Sequence, residues 1–460
     1  MQDDVREYDI VVIGSGAGAN VVDAALGRGL RVAWVDKGPL GGTCMNVGCI
    51  PSKKVILSAD RIVEIQEAGK LGVEAQIQTV DFAAIMERAR RDVRETQAQI
   101  REGITQAENL DFYEVEGHFV DDYTLQVGNQ RIKGEKVFVA AGTRVFIPPI
   151  EGIDKVDYLT NESVFELTER PESLIIMGGG YIATEFGHFF AAMGTKVTIL
   201  EMLDRLVYQE EPEISELLAR KLSERMDIHT NTRAIAVRED EKRVIVVGKD
   251  LYTGEEKEFA AQKLMVAVGR RSNADLLKVE NSGIEVDERG FIKVDDYLET
   301  SKPNIWAFGD INGKYLFTHV ANRESVVVWH NSTHEQKVKM DYGAIPHAVF
   351  SYPQIAGVGL TEALAKDTFD ILVGTAQYTD VAKGQAMMQE DGFAKAIVDR
   401  ENGNILGFHI IGPYAPILIQ EVVTAMANGG SFRWISRGIH IHPAMPELIL
   451  AALNNLHVHG

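Results

Sequence analysis

A chain of 460 residues is too long for one hydrophobic core and predicts about three domains. Its 45% hydrophobic and 25% charged content is that of a globular protein in water, and a formal net charge of −20 argues against a nucleic-acid partner, whose phosphates must be met by clustered Lys and Arg. The opening MQDDVREYDI lacks the basic patch and apolar core of a secretory signal, and no uncharged apolar stretch of about 18 residues occurs, so no membrane span is expected. Only two cysteines are present, which excludes a disulfide-stapled scaffold; a cytoplasmic setting is expected, where a close cysteine pair is more often catalytic or metal-binding than structural.

Residues 8–36 read as strand, Gly-rich turn, helix and strand: Tyr8 to Ile13, GSGAGAN, an Ala-rich helix, then RVAWVD. Gly14, Gly16 and Ala19 form a GxGxxA fingerprint directly after the first strand. The first glycine makes the tight turn and the second lets the backbone approach a pyrophosphate. The third small residue lets helix and strand pack closely, and the helix N-terminus attracts negative charge. Asp36 ends the next strand, where a carboxylate can hold ribose hydroxyls. A lone Gly-rich turn carries little weight, but strand, turn, helix, strand and acid in this order predict a dinucleotide site.

Residues 41–53, GGTCMNVGCIPSK, carry both cysteines. Cys44 and Cys49 can approach one another if the segment is helical or tightly wound, and the glycines around them permit close approach to a flat ring. Thiolate, the nucleophile of thiol–disulfide exchange, is favoured by a helix N-terminus and by nearby positive groups. A redox-active pair explains this setting better than three alternatives. A structural disulfide suits a reducing compartment poorly, a zinc site needs four ligands, and inert core cysteines need no glycines around them.

Residues 80–108 are charged and helix-forming, and 111–142 read as short strands ending in VFVAAG. Residues 173–201 then repeat the opening plan: SLIIMGGGYIATEFG, an apolar helix, and KVTILE. Gly178, Gly180 and Ala183 make the second fingerprint, and Glu201 ends its second strand. Two such units predict two cofactors that exchange electrons. A carboxylate at Glu201 bonds a free 2′-hydroxyl and repels a 2′-phosphate, favouring NADH over NADPH, although Arg205 could soften that preference. A strand-rich stretch follows, ending in KLMVAVGRR. Residues 303–326 read as strand, turn and the start of a helix. From about 340 the chain shows strands around HAVFS, AKAIVDR and LGFHIIG, then helices near 416–430 and 444–456.

GGTCMNVGCIPSK resembles the redox-active segment of the pyridine nucleotide–disulfide oxidoreductases, and the resemblance runs along essentially the whole chain. It implies an α/β chain with two Rossmann-like dinucleotide-binding domains and an α+β C-terminal dimerisation domain. The divisions expected are 1–149 (FAD-binding, first part), 150–270 (NAD(P)H-binding), 271–339 (FAD-binding, central) and 340–460 (dimerisation). VFVAAGTR, with Ala141 and Gly142, is similar to the family's flavin-domain ATG segment, with Ala141 in place of the usual Thr. NIWAFGD is similar to the later flavin motif, in which Asp310 bonds the ribityl chain. AVGRRSN, with Gly269, is similar to the segment that closes the nicotinamide domain. The resemblance also implies cofactor contacts at Lys37, Gly42, Thr43, His118, Ile182 and His319, and an ion pair between Lys53 and Glu185 beside the flavin ring. No resident metal is expected.

HIHPAMPE is similar to the family's HPxxxE motif, which makes His442 the base for a thiol proton and Glu447 the carboxylate that orients it. His440 lacks the Pro-to-Glu frame. The resemblance further implies a homodimer in which the cysteines of one subunit meet His442 of the partner subunit. Tyr181 covers the flavin at the nicotinamide pocket, Cys49 faces the flavin as its charge-transfer thiolate, and Cys44, the outer sulfur, exchanges with substrate. The substrate expected is a small dithiol or disulfide or a lipoyl-bearing protein. Glu201 favours a dihydrolipoamide dehydrogenase. Ile417, where that enzyme commonly has Glu, and HPAMPE favour a low-molecular-weight disulfide reductase of the mycothione reductase type. A mercuric reductase is disfavoured because LNNLHVHG lacks a further cysteine pair. A one-cysteine electron-transfer flavoprotein does not fit the CxxxxC pair, and a flavin-free binding protein needs none of these residues.

Overall fold

The computed structural model describes residues 5–240 and 243–458. In the first unit β1 (Val5–Ile13) and β2 (Val32–Val35) run parallel, Ile10 opposite Val32 and Ile13 opposite Val35, joined by α1 (Gly18–Leu26). Every residue of β2 is buried, as expected of a parallel strand covered on both faces. Gly14 has φ +103°, and a Cβ there would lie 2.3 Å from the Ala140 carbonyl oxygen, so only glycine fits the turn.

Gly18 adds a close helix–strand contact beside the expected Ala19: it is buried, with Val12 Cγ1 3.0 Å from where its Cβ would stand, while Ala19 is half-buried and packs against the same core.

Next come α2 (Gly42–Val47), α3 (Cys49–Gln66) and α4 (Phe82–Gln106), the last capped by Asp81, which accepts from the Ala84 N–H at 2.9 Å. β3 (Leu110–Tyr113) adds to the parallel set beside β2. β4 (Gly117–Asp121) and β5 (Thr124–Val127) form a meander with the start of β6 (Gln130–Val139), which also pairs parallel with β1.

β7 (Thr143–Val145) and β8 (Tyr158–Leu159) lead to the second unit: β9 (Ser173–Met177), α5 (Tyr181–Ala192), β10 (Lys196–Leu200), α6 (Pro212–Ser223) and β11 (Asp227–His229). An antiparallel trio follows, β12 (Thr232–Asp240), β13 (Arg243–Asp250) and β14 (Glu256–Ala261), and then β15 (Lys263–Val266). The parallel sheet runs β11-β10-β9-β15-β8. The turn after β9 reproduces the first one: Gly178 has φ +106°, and its Cβ would lie 2.3 Å from the Ala267 carbonyl oxygen.

β16 (Arg270–Ser272) pairs with β7, α7 (Ala274–Leu277) follows, and β17 (Ile305–Ala307) returns to the first sheet beside β6. Trp306 stacks on Phe138 at 5.2 Å, fixing that return, and α8 (Thr318–Thr333) packs beside α1 through Asn20 and Ser325 at 3.0 Å. The C-terminal part consists of β18 (Pro346–Val349), β19 (Ile355–Gly359), α9 (Glu362–Lys366), β20 (Ile371–Gln377), α10 (Ala382–Ala386), β21 (Phe393–Asp399), β22 (Ile405–Ile411), α11 (Ala415–Ala427), α12 (Arg433–Ser436), α13 (Glu447–Asn454) and β23 (His457–Val458). Its antiparallel sheet, β18-β19-β22-β21-β20-β23, shares a core with α11 and α13 built from Phe408, Ile410, Leu418, Val422, Leu448 and Ala452. No helix among the described residues is long and apolar enough to cross a membrane.

Candidate active site

The segment bearing the cysteines lies directly on the first glycine turn. A Cβ on Gly42 would stand 2.8 Å from Gly16 Cα, and the Gly41 N–H donates to Ser15 Oγ at 2.9 Å. Buried Asn46 holds the start of the segment, its amide donating to the carbonyls of Pro39, Leu40 and Gly42 at 3.2, 2.9 and 2.8 Å. Gly48 follows, and a Cβ there would meet the Thr43 carbonyl oxygen at 2.9 Å, so the break between α2 and α3 also requires glycine.

Cys44 and Cys49 are free thiols on either side of the break between α2 and α3. Cys49 opens α3, where the helix dipole favours a thiolate, and its Sγ lies 3.8 Å from Thr318 Oγ1 at the start of α8. The pair parts easily with one proton. Cys44 is lowered to about 6 by the hydrogen bond from Cys49, with Thr318 and the Lys53 charge assisting against burial. Cys49 is pushed up chiefly because its proton is shared with Cys44, with some loss of water around its sulfur although the residue as a whole is exposed. The pair therefore holds one negative charge between two sulfurs. Cys49 is the more exposed of the two, so solvent exposure does not make Cys44 the outer sulfur.

Lys53, one turn beyond Cys49, reaches Glu185 on α5 at 2.8 Å and 3.1 Å. Glu185 is buried and also accepts from the Phe350 N–H at 3.0 Å, while the Phe350 ring lies 4.7 Å from Lys53 Nζ. Tyr181 and Ile182 open the same helix, Tyr181 partly exposed.

The two acids stand in equivalent places. Asp36 accepts from the N–H groups of Ser15 and Gly38, both at 2.6 Å. Glu201 accepts from the Gly179 N–H and from the Leu203 N–H at 2.7 Å. Each carboxylate ties down the residue after the first glycine of its fingerprint, and its remaining lone pairs can still accept hydroxyl donors. Arg205 is turned elsewhere: it donates to the Tyr208 carbonyl at 3.0 Å and lies 4.3 Å over the Tyr208 ring, and its buried Nε has no partner among the described residues.

Asp310 accepts from Thr143 Oγ1 at 3.0 Å, and burial pushes its carboxyl up, opposed by Arg270. Arg270 donates to Thr143 Oγ1 at 2.7 Å and to its carbonyl at 2.8 Å. Asn273 donates to the Ala141 carbonyl at 2.8 Å, its N–H bonds the Gly142 carbonyl at 3.3 Å, and the Gly269 carbonyl accepts from the Phe146 N–H at 3.0 Å. The AAGTR, AVGRRSN and FGD segments thus form one cluster. His319 follows Thr318, bonds the Pro346 carbonyl at 2.9 Å and stacks on Phe317 at 5.3 Å. Lys37 is exposed and pairs with Glu116 at 3.5 Å. His118 is half-buried in β4 opposite Gln126, and Thr43 is exposed in α2. Thr318, Phe350, Thr143 and Arg270 were not singled out from the sequence, because each reaches the site only through pairings between distant segments.

His442 Nδ1 lies 2.8 Å from Glu447 Oε1, and Glu447 Oε2 accepts from the Ala444 N–H at 3.0 Å. These two bonds hold the Glu447 carboxyl below its usual range. The His442 side chain is 71% exposed and its Nε2 has no partner among the described residues. His440 is the opposite case: its side chain is buried, one nitrogen bonds Glu421 at 2.8 Å and the other the Gly438 carbonyl at 3.2 Å.

Residues 8–325 match the family model of pyridine nucleotide-disulphide oxidoreductases, and residues 345–453 match the dimerisation domain of the same family. Mycothione reductase of Mycobacterium tuberculosis is 36% identical, the alignment covering 98% of this chain and 100% of that protein. Dihydrolipoyl dehydrogenase of Geobacillus stearothermophilus is 34% identical over 97% and 95% of the two chains. Among solved structures, the HOCl-induced flavoprotein disulfide reductase RclA of Escherichia coli, as its Cu(II) complex, superposes with a TM-score of 0.87 at 30% identity, covering 98% of this chain and 99% of that one. With glycine turns, paired cysteines and a full-length match in agreement, the chain belongs to the pyridine nucleotide-disulphide oxidoreductase family.

Proposed function

We propose that the chain moves two electrons between NAD(H) and a dithiol or disulfide through Cys44 and Cys49, working as a homodimer and preferring NADH to NADPH. The observation that carries this reading is the thiol pair at the head of α3, with Lys53 one turn on, ion-paired to Glu185 at the head of α5. The first glycine turn, which leaves no space for a Cβ, and the Asp36-held loop beside it fit the pyrophosphate and ribose of FAD, the cofactor expected of this family. The Gly178 turn with Glu201 fits a nicotinamide dinucleotide in the same way. FAD, bound in the first unit, supplies the two-electron carrier between nicotinamide and sulfur. Asp310 would bond its ribityl chain, and Lys53 with Glu185 would flank its ring.

In the dithiol-oxidising direction, Nε2 of His442 of the partner subunit takes the proton of a substrate thiol. The resulting thiolate attacks Cys44 Sγ of the Cys44–Cys49 disulfide; that S–S bond breaks and Cys49 leaves as a thiolate, stabilised by the α3 dipole and Lys53. The second substrate thiol attacks the substrate sulfur bound to Cys44, closing the substrate disulfide and releasing Cys44, which takes that thiol's proton while the first stays on His442 of the partner subunit. The protein dithiol now holds both electrons, which pass on to NAD⁺ as hydride with release of a proton. Disulfide reduction runs the same steps backwards.

The dimer reading is supported by the match to the family's dimerisation domain and by the surroundings of His442. Ile439 and Ile441 are almost wholly exposed on the single chain, an apolar strip beside the unpartnered Nε2. Dihydrolipoamide is the substrate that goes with Glu201 and with the likeness to dihydrolipoyl dehydrogenase. A small disulfide of a low-molecular-weight thiol is the second reading, favoured by Ile417, exposed at the head of α11, and by the likeness to mycothione reductase. A panel of dihydrolipoamide, lipoamide, oxidised glutathione and mycothione, each with both nicotinamide nucleotides, tests this. Turnover of none of them, or protein purified without flavin absorbance, overturns the enzymatic reading.

A further inference from the structure

α3 and α5 are joined twice. The first joint is Lys53–Glu185, covered by Phe350. The second lies two turns further along α3 and one turn along α5: His188 Nε2 is 2.8 Å from Asp60 Oδ1, and the His188 ring stacks on Tyr352 at 5.7 Å, the rings tilted by 23°. One short segment thus caps both joints, Phe350 over the first and Tyr352 over the second.

His188 is fully buried, and its other nitrogen, Nδ1, lies 3.1 Å from Arg225 Nη1. A guanidinium only donates, so Nδ1 accepts and Nε2 carries the hydrogen given to Asp60. Burial, with Arg225 on one side, lowers the imidazole's affinity for a second proton, against the pull of Asp60. Arg225 also donates to the Tyr352 carbonyl at 3.0 Å, and the Tyr352 hydroxyl donates to Glu67, at the end of α3, at 3.0 Å. The imidazole is therefore a neutral strut where the cysteine-bearing helix, the nicotinamide-side unit and the C-terminal part meet, and no step of the thiol chemistry uses it.

We infer that His188, through Asp60 and Arg225, is a positioning residue for the dithiol: it sets how α3 lies against α5 and so where the Lys53 charge stands relative to Cys44 and Cys49. The physical link is short. The Lys53 charge lowers the thiol pKa of both cysteines, and Lys53 is held by Glu185 one turn before His188 on the same helix. With the second joint gone, the helices can slide and that charge moves away from the sulfurs.

The inference rests on the redox reading of the cysteines, and its test separates the two. Flavin-loaded wild type, His188→Phe, His188→Gln and Asp60→Leu are compared in three measurements: the pH midpoint of iodoacetamide alkylation of the reduced protein, the long-wavelength charge-transfer absorbance after two-electron reduction, and thermal melting. Phenylalanine fills the space but bonds neither neighbour, whereas glutamine can donate to Asp60 and accept from Arg225. The expected result for His188→Phe is an alkylation midpoint raised by about half a pH unit or more and a charge-transfer absorbance cut by about half. His188→Gln should restore both, and Asp60→Leu, which removes the acceptor at nearly the same volume, should shift them in the same direction as Phe, which keeps the test open if His188→Phe does not fold. A lowered melting temperature with unchanged midpoint and absorbance, or a shift that Gln does not rescue, overturns the positioning role. A wild type without the charge-transfer band overturns the redox reading beneath it.

Discussion

Glu201 closes the second glycine turn as Asp36 closes the first, each carboxylate accepting from the N–H that follows the first glycine and from the N–H two residues beyond itself. The coenzyme prediction follows from this. A hydroxyl can still donate to Glu201, but a 2′-phosphate meets a fixed like charge, while Arg205 is committed to Tyr208. We expect kcat/KM for NADH at least about tenfold above that for NADPH, or about 1.4 kcal/mol in transition-state binding. Steady-state kinetics with both nucleotides check it, and an NADPH preference moves the substrate reading to a low-molecular-weight disulfide. Gly179→Ala should raise KM for NADH, because its Cβ would stand 2.8 Å from Glu201 Cγ.

Cys44→Ser should abolish disulfide turnover and retain flavin, leaving Cys49 to give a charge-transfer band with the oxidised cofactor. Ordinary turnover by this variant would falsify the exchange mechanism. In the reduced wild type the first thiol proton leaves near the value to which Cys44 is lowered, about 6. Alkylation should therefore speed up as pH rises through about 6 and change little from there to neutrality.

The two neighbouring histidines should separate cleanly. His442→Ala removes the proton acceptor and should cost about 10²–10⁴-fold in the thiol steps, with single-turnover flavin reduction by NADH little changed. His440 is buried with both nitrogens bonded, so His440→Ala should lower the melting temperature more than it slows the chemistry. The reverse pattern would show that the wrong imidazole has been assigned.

Lys53→Met leaves buried Glu185 with only the Phe350 N–H as partner among the described residues. Removing one partner of a buried pair costs about 3–5 kcal/mol; Lys53 is one-third exposed, which reduces this to about 1–3 kcal/mol. Denaturant unfolding measures the loss, and the alkylation midpoint should rise at the same time because the thiols lose a nearby cation.

Ile439→Glu places a charge on the most exposed apolar residue beside His442. A shift toward monomer in sedimentation, with loss of turnover at low protein concentration, is the expected outcome. A fully active monomer sinks the shared-site reading.

Local sequence carried the recurring units because each rests on short-range physics. A glycine turn after a buried strand needs only neighbouring residues, and both fingerprints and their acids could be read that way. The Gly18 contact could not, since it exists only once α1 packs on β1. HPxxxE pointed to His442 over His440, yet the reason they differ, an unpartnered Nε2 against a ring bonded at both nitrogens, is a matter of burial.

By itself the sequence determined the family and the two dinucleotide-binding units, and it set both cysteines in one contiguous motif. The tertiary structure decided what surrounds that pair. Thr318 reaches Cys49 from a helix that follows the return of β17 to the first sheet, and Phe350 and Tyr352 reach α5 from the C-terminal part. His188 becomes a strut only because Asp60 and Arg225 close on it from opposite sides. Such contacts join residues far apart in the chain, and no local periodicity or spacing records them; they exist only once hydrophobic burial has fixed how the helices and sheets lie against one another.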